Sequence, residues 1–405
     1  MKYVAGAECE VAVIGLGYVG LPAALMFANS GLKTIGVDIN MSLLSKIREG
    51  KCPLEEKGLS KIFDDPAAKA NFSVSESAPI SEAYIIAVPT PLDSVKKVAD
   101  LNAVVAACKS ITHVLQKGAL VIIESTIPPL TCRNIVGPIL ESGGLKIGRD
   151  IFVAHCPERL FPGNVVEEIV HNSRIVGGAN QAATDRAAEL YGRFVKGEIN
   201  RTDDVTAEFS KLIENAFRDV NIALANELAA VAEHLGIKIE QAIAMANKHP
   251  RVKILKPGIG VGGHCIPIDP WFIAEVAPNE TALIPVARRI NDRQPERVAA
   301  KIRKAVAHIA DPCLAIYGVT YKPDVNDQRE SPAWQVVELL RQDGYRLDIY
   351  DPVAGPKPKG NPIAFAKGHD ALVVLVEHSE IVDLLANAGS SQILGALAQP
   401  IILRF

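Results

Sequence analysis

The chain has 405 residues, of which 48% are hydrophobic, enough for two or three domains with substantial cores. Its 43 basic and 46 acidic residues leave a formal net charge of -3 without any basic run, which argues against a nucleic-acid partner. The seven cysteines are scattered without a CxxC pair, and no export signal or long apolar run is present, so we expect a reduced cytoplasmic protein with no disulfide framework, no metal and no membrane partner.

A glycine-rich turn near the N-terminus follows an apolar strand and precedes a helical pattern. The strand Val11–Ile14 runs into Gly15-Leu-Gly17-Tyr-Val-Gly20. This order is typical of a dinucleotide site, where the three glycines allow a tight turn, close approach to the pyrophosphate, and close packing of helix and strand. Asp38 ends the next strand about 20 residues downstream, where a carboxylate binds the ribose hydroxyls of NAD and disfavours NADP. The alternative is a glycine-rich turn that binds no ligand.

Short apolar strands alternate with helical stretches through the first half of the chain. They are predicted at Val11–Ile14, Thr34–Val37, Ala83–Val88, Leu120–Glu124 and Ile151–Ala154. This alternation indicates a parallel sheet with helices on both faces, and such sheets bind ligands at the carboxyl ends of their strands. We therefore expect the loops after two of these strands to face the cofactor as well. The expected NAD contacts are Gly15, Gly17, Tyr18, Val19, Gly20, Asp38, Pro89, Thr90 and Thr126.

The chain is predicted to be helical from about Thr206 to Lys248, where long apolar-periodic runs contain few breakers. Lys211 and Asn215 stand four residues apart and therefore share one face of this predicted helix. By themselves they are also what a solvated helix face would carry. Other elements are needed to decide between the two interpretations.

A single thiol lies in the glycine-rich segment Gly260–Pro267. Glycines let the backbone approach a ligand closely, and backbone N–H groups can stabilise a thiolate, the form of sulfur that attacks carbon. Cys265 is therefore a candidate nucleophile. On this segment alone, a small buried hydrophobe in a tight turn explains the cysteine equally well.

The last part of the chain repeats the pattern of the first. Leu314–Tyr321 is similar to the first strand and its turn, and Asp343–Asp351 is similar to the second strand with its terminal acid. The later glycines of the turn are missing, so Lys322 and Arg329 would bind phosphates through their side chains, unless they belong to a charged surface loop.

We predict an α/β protein with two Rossmann-like, doubly wound domains joined by a central helical segment. The predicted ranges are 1–200, 201–300 with the cysteine loop, and 301–405.

These parts together suggest oxidation of a phosphate-bearing substrate through a covalent sulfur adduct. Loss of a hydride from an alcohol gives an aldehyde, and addition of a thiolate gives a thiohemiacetal. Loss of a second hydride gives a thioester, from which water releases an acid.

Seven motifs carry a resemblance that spans essentially the whole chain. They are Gly15-Leu-Gly-Tyr-Val-Gly-Leu-Pro22, Pro89-Thr-Pro91, Glu124-Ser-Thr126, Cys156-Pro-Glu-Arg159, Lys211-Leu-Ile-Glu-Asn215, Gly262-Gly-His-Cys265-Ile-Pro-Ile-Asp269, and Tyr321-Lys-Pro-Asp324 with Arg329-Glu-Ser-Pro332. In this order they resemble the UDP-sugar 6-dehydrogenases, which convert the C6 alcohol of a nucleotide sugar to a carboxylate with two NAD. The resemblance implies a UDP-sugar-binding third domain and a homodimer formed through the central helices.

The resemblance also implies a role for each matching residue. Cys265 would be the nucleophile, Lys211 the cation that stabilises oxyanions in both oxidations, and Asn215 a group that holds the oxyanion or a water. Glu158 would activate the water that hydrolyses the thioester. The residues that support this water would be Asp269 and Thr126. The implied substrate contacts are Glu158, Arg159, Lys211, Asn215, Gly262, Lys322 and Arg329, together with Arg251, which would reach the substrate of a neighbouring subunit.

Within the family, His155–Asn164 followed by His171–Gly178 looks most like the branch that acts on UDP-N-acetylmannosamine. UDP-N-acetylglucosamine and UDP-glucose are the alternative substrates, and the product would enter surface polysaccharide synthesis. The segment Ile401–Phe405 departs from the family, which continues there into an Asp-x-Arg segment near the nucleotide, so we expect any effect on affinity rather than on chemistry.

Two alternatives from other classes stay open at this point. A non-catalytic sensor of NAD or a nucleotide sugar would keep its affinities without Cys265. A single-step alcohol dehydrogenase would stop at the aldehyde and would not need the cysteine, so the number of NADH formed per substrate distinguishes it.

Overall fold

The computed structural model describes residues 4–160, 163–354, 361–387 and 389–405. Two units can be distinguished in the chain, Met1–Glu214 with Trp271–Pro278 and Asn215–Pro270 with Asn279–Phe405. No helix in the described ranges combines the length and the apolar character needed to cross a bilayer. Phe161 and Pro162, which belong to the stretch used above to choose the family branch, lie outside the described residues.

In its described residues, the first unit is built on one sheet of eight strands. Its elements are β1 (Cys9–Ile14), α1 (Gly20–Asn29), β2 (Thr34–Val37), α2 (Met41–Arg48), α3 (Leu59–Phe63), α4 (Pro66–Asn71), β3 (Phe72–Ser75), β4 (Ser81–Ile86), α5 (Asn102–Thr112), β5 (Leu120–Ile123), a π-helical turn (Cys132–Val136), α6 (Gly137–Glu141), β6 (Phe152–His155), α7 (Val165–His171), β7 (Arg174–Gly178), α8 (Gln181–Tyr191) and β8 (Ile199–Asp203). The strand order is β3-β2-β1-β4-β5-β6-β7-β8.

Successive residues of β1 enter two different cores. Val11 and Val13 pack with Phe27 of α1, whereas Ala12 and Ile14 pack with Ile111 of α5 on the other face. Because side chains alternate across a strand, both faces of this sheet are covered, as the doubly wound prediction requires.

All five predicted strands are present, with ends displaced by at most two residues. The five predicted strands run parallel to one another, as expected, whereas β7, which was not among them, runs antiparallel to β6. This pairing is short and joins Ala154 to Gly178 and His155 to Gly177. Hydrophobic patterning reports burial and not strand direction, so the reversal was not visible in the sequence.

The second unit repeats the architecture with a parallel sheet, whose strands lie in the order β10 (Arg346–Tyr350), β9 (Cys313–Tyr317), β11 (Ala371–Val374) and β12 (Ile401–Arg404). The remaining elements are α9 (Asp204–Leu235), α10 (Ile239–Ala246), α11 (Asp269–Val276), α12 (Leu283–Asp292), α13 (Gln294–Val306), β9 (Cys313–Tyr317), α14 (Pro332–Gln342), β10 (Arg346–Tyr350), α15 (Pro362–Ala366), β11 (Ala371–Val374), α16 (Ser379–Ala386), α17 (Gly389–Ala396) and β12 (Ile401–Arg404). Leu314 and Ile316 of β9 face one core and Ala315 and Tyr317 the other. The predicted pair of doubly wound, Rossmann-like domains with a central helical segment is confirmed.

Helix α9 begins in the first unit and continues into the second. The predicted helical segment extended to Lys248, but the structure divides it into α9 and α10. Gly236 follows the last residue of α9 with a φ of +69°, a left-handed conformation that commonly ends helices.

Candidate active site

The turn between β1 and α1 requires glycine at two of its three glycine positions. Gly15 has a φ of +94°, and a Cβ at Gly20 would lie 1.8 Å from the carbonyl oxygen of Gly15. A Cβ at Gly17, by contrast, would meet nothing within 4 Å. The turn therefore closes on itself at Gly15 and Gly20 and leaves open space beside the backbone of Gly17, where a pyrophosphate can approach.

The start of α1 offers backbone donors to an anion. Val19 occupies the N-cap position, and no side chain caps this end of the helix. The hydroxyl of Tyr18 instead points to Glu56, to which it donates a 2.5 Å hydrogen bond, and the N–H of Gly163 donates to the same carboxylate. Glu56 had not been predicted as a site residue, because nothing in its local sequence indicates this distant contact.

Asp38 lies directly after β2 and turns its carboxylate toward the glycine turn. Its Oδ2 accepts the Leu16 N–H at 2.7 Å, and its Oδ1 accepts the Asn40 N–H at 2.8 Å. The side chain is half-buried. An anionic acceptor in this position favours the ribose hydroxyls of NAD over a 2′-phosphate.

Two further loops at the same edge of the sheet are joined by hydrogen bonds. Thr90 Oγ1 donates to the carbonyl oxygen of Thr126 at 2.7 Å, and Ser125 Oγ donates to that of Val88 at 2.6 Å. Thr126 is half-buried and Pro89 is exposed. The open space at Gly17, the uncapped start of α1 and the two loops together fit a bound dinucleotide. NAD would be held by the glycine turn, by Asp38 and by these two loops.

The first unit contains an ion pair between two predicted catalytic residues. Lys211 Nζ lies 3.4 Å from Glu158 Oε1, and their side chains are only 6% and 13% exposed. The other carboxylate oxygen of Glu158 accepts the Leu160 N–H at 2.6 Å. A cation and a carboxylate so poorly hydrated interact with reacting groups more strongly than they would in bulk water.

Arg159 is held by a residue that sequence reasoning missed. Its guanidinium forms an ion pair with Glu214 of α9 and donates to the carbonyl oxygen and hydroxyl of Ser173 at 3.2 and 3.1 Å. Consecutive residues Glu158 and Arg159 thus pair with Lys211 and Glu214, which are neighbours on the surface of one helix. The i, i+3 spacing on α9 was visible in the sequence, but the partner segment was not.

Helix α9 also fixes the loop that follows Thr126. The Glu208 carboxylate accepts the N–H groups of Leu130 at 2.6 Å and Cys132 at 2.8 Å. Leu130 has a φ of +71°, so this loop holds a residue in a left-handed conformation that few side chains adopt. Burial raises the pKa of Glu208 to about 7 despite these hydrogen bonds, which favour the charged form.

In the second unit, Asn215 and Asp269 form a buried pair. Asn215 Nδ2 donates to Asp269 Oδ2 at 2.5 Å, and the side-chain oxygen of Asn215 accepts a hydrogen bond from Arg218. Asn215 is fully buried and Asp269 is 3% exposed. The amide orientation of Asn215 is therefore set by a carboxylate on one side and a guanidinium on the other.

The cysteine loop packs closely on the segment that follows β9. A Cβ at Gly262 would lie 2.7 Å from Pro332 and 2.8 Å from the carbonyl oxygen of Glu330, and Gly263 has a φ of +81° against the ring of Tyr321. The carbonyl of Cys265 accepts the N–H groups of Ile268 and Asp269, so a tight turn follows the thiol. Cys265 itself is half-buried rather than part of the core.

Charged residues predicted to bind the nucleotide sugar occupy different settings. Arg329 is bound by both carboxylate oxygens of Asp327, at distances down to 2.6 Å, and this hydrogen bonding raises its pKa. Its backbone carbonyl accepts the Gly263 N–H, which connects the loop to the cysteine segment. Lys322 is half-buried, and Arg251 is exposed, with its N–H bonded to the ring of His249. The structure therefore brings Arg329 to the cysteine loop, whereas Arg251 lies exposed beside His249.

The acid that follows the second strand of each sheet pattern has different contacts in the two sheets. Asp351 follows β10 as Asp38 follows β2, but it is only 3% exposed. Its carboxylate accepts the N–H groups of Val319 at 2.7 Å and Val353 at 3.0 Å and lies 3.2 Å from His378 Nε2. These contacts lower the pKa of Asp351 to about 2 although burial acts in the opposite direction. The acid is part of the folded structure and is not available to a ribose.

Comparisons with known proteins agree with this arrangement. Models of the UDP-glucose/GDP-mannose dehydrogenase family match its NAD binding domain at residues 9–195, its central domain at 205–293 and its UDP binding domain at 315–403. The UDP-N-acetyl-D-mannosamine dehydrogenase of Methanococcus aeolicus is 45% identical over 92% of this chain and 85% of its own length. That of Campylobacter jejuni is 41% identical over 93% and 97%.

A solved structure shows the same relationship in three dimensions. The UDP-D-ManNAc dehydrogenase of Pyrococcus horikoshii superposes with a TM-score of 0.90 at 39% identity, covering 98% of this chain and 94% of the other. The resemblance inferred from seven motifs is confirmed, as is the prediction of NAD as cofactor. The chain belongs to the UDP-glucose/GDP-mannose dehydrogenase family and is an NAD-dependent UDP-sugar dehydrogenase.

Proposed function

We propose that this chain oxidises the C6 hydroxyl of UDP-N-acetyl-D-mannosamine to a carboxylate, in two oxidations separated by formation of a covalent bond to Cys265. Bound NAD supplies the hydride acceptor for each oxidation. The substrate assignment is supported by the similarity to UDP-N-acetyl-D-mannosamine dehydrogenases along nearly the whole chain. UDP-N-acetylglucosamine and UDP-glucose are the competing substrates.

The buried pair of Lys211 and Glu158 carries the chemical part of the proposal. A protein that only binds a nucleotide sugar gains nothing from enclosing a cation and a carboxylate at 3.4 Å, because desolvating both is costly. Oxidation of an alcohol and addition of a thiol to a carbonyl both develop negative charge on oxygen, which the Lys211 ammonium would stabilise.

Each remaining residue has a role that its setting supports. The Cys265 thiolate would add to the aldehyde carbon, and the thiohemiacetal would then be oxidised to a thioester. Glu158 would remove a proton from the water that attacks this thioester, so that the acid leaves and the thiol is restored. Asn215, oriented by Asp269, would donate a hydrogen bond to the substrate oxygen or to this water, and Thr126 would support the water.

Substrate binding is proposed for the residues that the family motifs mark. Arg159, Gly262, Lys322 and Arg329 would contact the UDP-sugar, and Arg251 would contact the substrate of a second subunit. Discrimination between the acetamido sugars depends on hydrogen bonds to the amide group, which can be strongly selective, whereas selection by shape alone is modest.

We also propose that two copies of the chain associate through α9, within the central segment 201–300. Large apolar side chains remain exposed along one face of this helix, at spacings of four and seven residues, and they are Phe209, Ile213, Phe217, Leu224 and Val231. A continuous apolar stripe of this length is typical of a helix that packs against a partner. The division into ranges 1–200, 201–300 and 301–405, a cytoplasmic location and a role in polysaccharide synthesis remain part of the same proposal.

The decisive experiment measures NADH formed per sugar consumed, in parallel on UDP-N-acetylmannosamine, UDP-N-acetylglucosamine and UDP-glucose. About two NADH per UDP-N-acetylmannosamine, with the other sugars much slower, is the expected result. About two NADH per molecule of another sugar, and none on UDP-N-acetylmannosamine, would overturn the substrate assignment. About one NADH per sugar would overturn the thioester route. Cys265→Ala should abolish acid formation while NAD binding persists, and retained acid formation would exclude Cys265 as nucleophile.

A further inference from the structure

Three side chains with metal-binding atoms come together from three neighbouring segments of the second sheet. Cys313 is the first residue of β9, Asp348 lies within β10, and His369 precedes β11. One ligand atom from each lies within 4.8 Å of the other two, and His369 Nε2 is 3.0 Å from Asp348 Oδ2. We propose that Cys313, Asp348 and His369 bind a divalent transition-metal ion, for which Zn²⁺ is the best match.

The donor set is the basis for choosing zinc. A thiolate, an imidazole nitrogen and a carboxylate oxygen are the three kinds of side-chain ligand that Zn²⁺ takes, whereas Ca²⁺ and Mg²⁺ prefer oxygen alone. His369 Nε2 and Asp348 Oδ2 share a hydrogen bond at 3.0 Å, and a metal ion would take the place of the shared proton between them. Three protein ligands leave a fourth position for water, which can enter from the side of Asp348, whose side chain is 69% exposed.

Two of the ligands are already held in place by the fold. His369 is 8% exposed, and its ring packs on Phe365 with centroids 5.5 Å apart. The N–H of Cys313 donates to the Asp370 carboxylate at 2.8 Å, which fixes the start of β9 beside the histidine segment. Little conformational freedom would be lost on binding a metal, and such preorganisation favours affinity.

The local charge also favours a cation. Asp348 and Asp370 both lie at this edge of the sheet, and the neighbouring cation Arg346 is paired with Asp311 at 3.3 Å. The carboxylates thus exceed the cations among these side chains. A divalent ion would neutralise this excess and would stabilise the thiolate form of Cys313.

The proposed site is separate from the nucleotide chemistry of the same unit. Gly318 and Asp351 follow the carboxyl ends of β9 and β10, the edge at which parallel sheets bind their ligands. Cys313 and His369 lie at the opposite, amino ends of β9 and β11, and Asp348 lies at the middle of β10. The metal would therefore connect β9, β10 and the segment before β11, and it would raise the stability of the domain without taking part in the oxidation.

Nothing in the sequence indicates this site, because its ligands come from three separate segments and form none of the paired motifs by which zinc sites are recognised. The absence of CxxC pairs led us to expect no metal. The site becomes visible only when the parallel register brings the three segments to one edge.

Co²⁺ is the best probe, because a cobalt–thiolate bond absorbs light in a charge-transfer band. The full chain with Cys265→Ser, which removes another partly exposed thiol, would be stripped with a chelator and titrated with Co²⁺ and then with Zn²⁺. We expect about one Co²⁺ per chain, a charge-transfer band that Zn²⁺ abolishes, and a Tm that rises with Zn²⁺ concentration.

Variants in this background assign the ligands. Cys313→Ser should remove the band, and Asp348→Asn, at an exposed position that does not threaten folding, should weaken Co²⁺ binding by at least about 10-fold. Cys52→Ser, at a similarly half-buried thiol, is the matched control and should leave band and affinity unchanged. The proposal would be overturned if the Cys265→Ser chain showed no charge-transfer band with Co²⁺. It would also be overturned if Co²⁺ binding were unchanged in both Cys313→Ser and Asp348→Asn.

Discussion

Asn215 donates a 2.5 Å hydrogen bond to Asp269, and both side chains are buried within the second unit. Asp269→Ala should leave the Asn215 amide without its acceptor and destabilise the protein by about 1–3 kcal/mol. Asp269→Asn keeps an acceptor and should cost less stability, but it removes the negative charge. We expect kcat to fall at least about 10-fold in both variants.

Thermal unfolding and initial rates would test this pair together. Asp383→Asn, at an exposed aspartate of the same unit, is the control and should behave as wild type. Wild-type kcat in Asp269→Asn would show that the carboxylate acts only as a hydrogen-bond acceptor.

Replacement of Glu158 should separate oxidation from hydrolysis. Glu158→Gln retains an oxygen for the Leu160 N–H but cannot take a proton from water. We expect acid release to fall by about 10²- to 10⁴-fold and the acyl adduct to accumulate on Cys265. Intact-protein mass spectrometry after one turnover would detect the adduct, which should be absent when Cys265→Ala is added. Rapid acid release with no adduct would remove Glu158 from the hydrolytic step.

Asp38 should determine both the affinity and the choice of dinucleotide. Asp38→Ala removes the acceptor of the Leu16 N–H and the carboxylate expected to bind the ribose. We expect KM for NAD to rise about 10-fold or more. The ratio of kcat/KM for NAD to that for NADP should decrease. Steady-state kinetics with both dinucleotides would measure this, with the exposed Asp64→Ala as control. An unchanged KM for NAD would contradict the proposed ribose contact.

The raised pKa of Glu208 predicts that the stability of the folded chain depends on pH. Burial raises its pKa from 4.5 to about 7 in the folded chain, so the folded chain holds this proton more tightly than the unfolded chain does. Its stabilising contribution is therefore complete below about pH 4.5 and is lost as the pH rises to about 7. Over this window wild type should lose up to about 3 kcal/mol relative to Glu208→Gln.

Unfolding measured at about pH 5 and about pH 8 would test the Glu208 prediction, because other titrating groups are shared by both proteins and cancel in the comparison. Glu189→Gln, at an exposed glutamate, should follow wild type at both values. Parallel behaviour of wild type and Glu208→Gln would mean that the carboxyl group is ionised throughout.

The apolar stripe of α9 makes the subunit proposal testable with one residue. Phe217 is 58% exposed near the middle of the stripe, so Phe217→Glu would place a charge at the centre of the proposed interface. Light scattering after gel filtration should change from the mass of a dimer to that of a monomer. Leu235→Glu, at the end of the helix, should have a weaker effect, and a wild-type monomer at micromolar concentration would exclude this interface.

Local patterns predicted the parts of the molecule that depend on local physics. The spacing of Gly15, Gly17 and Gly20 after a strand indicated the turn, and helical periodicity indicated that Lys211 and Asn215 share a helix face. Gly236, where the helix ends, was a visible signal that the predicted long helix did not take into account. The second Rossmann-like sheet was predicted because it repeats the pattern of the first.

The partners of the site residues could not be predicted in the same way. The hydrogen bond of Tyr18 to Glu56 and the ion pair of Arg159 with Glu214 join residues far apart in the sequence and are set by how loops and helices pack. Many carboxylates in the chain could have filled each position. Hydrophobic periodicity likewise gave no reason to reverse β7, because burial is the same for either strand direction.

The burial of Asp351 limits how many dinucleotides the chain can use at once. With that acid committed to Val319, Val353 and His378, only the first of the two related sheets keeps an acid at the glycine turn for a ribose. The proposed reaction nevertheless withdraws four electrons from each sugar. Between the two oxidations NADH must therefore leave this one site and a second NAD must bind, while the sugar stays on the protein. Turnover should then be inhibited by NADH at a stage when no free product has yet formed.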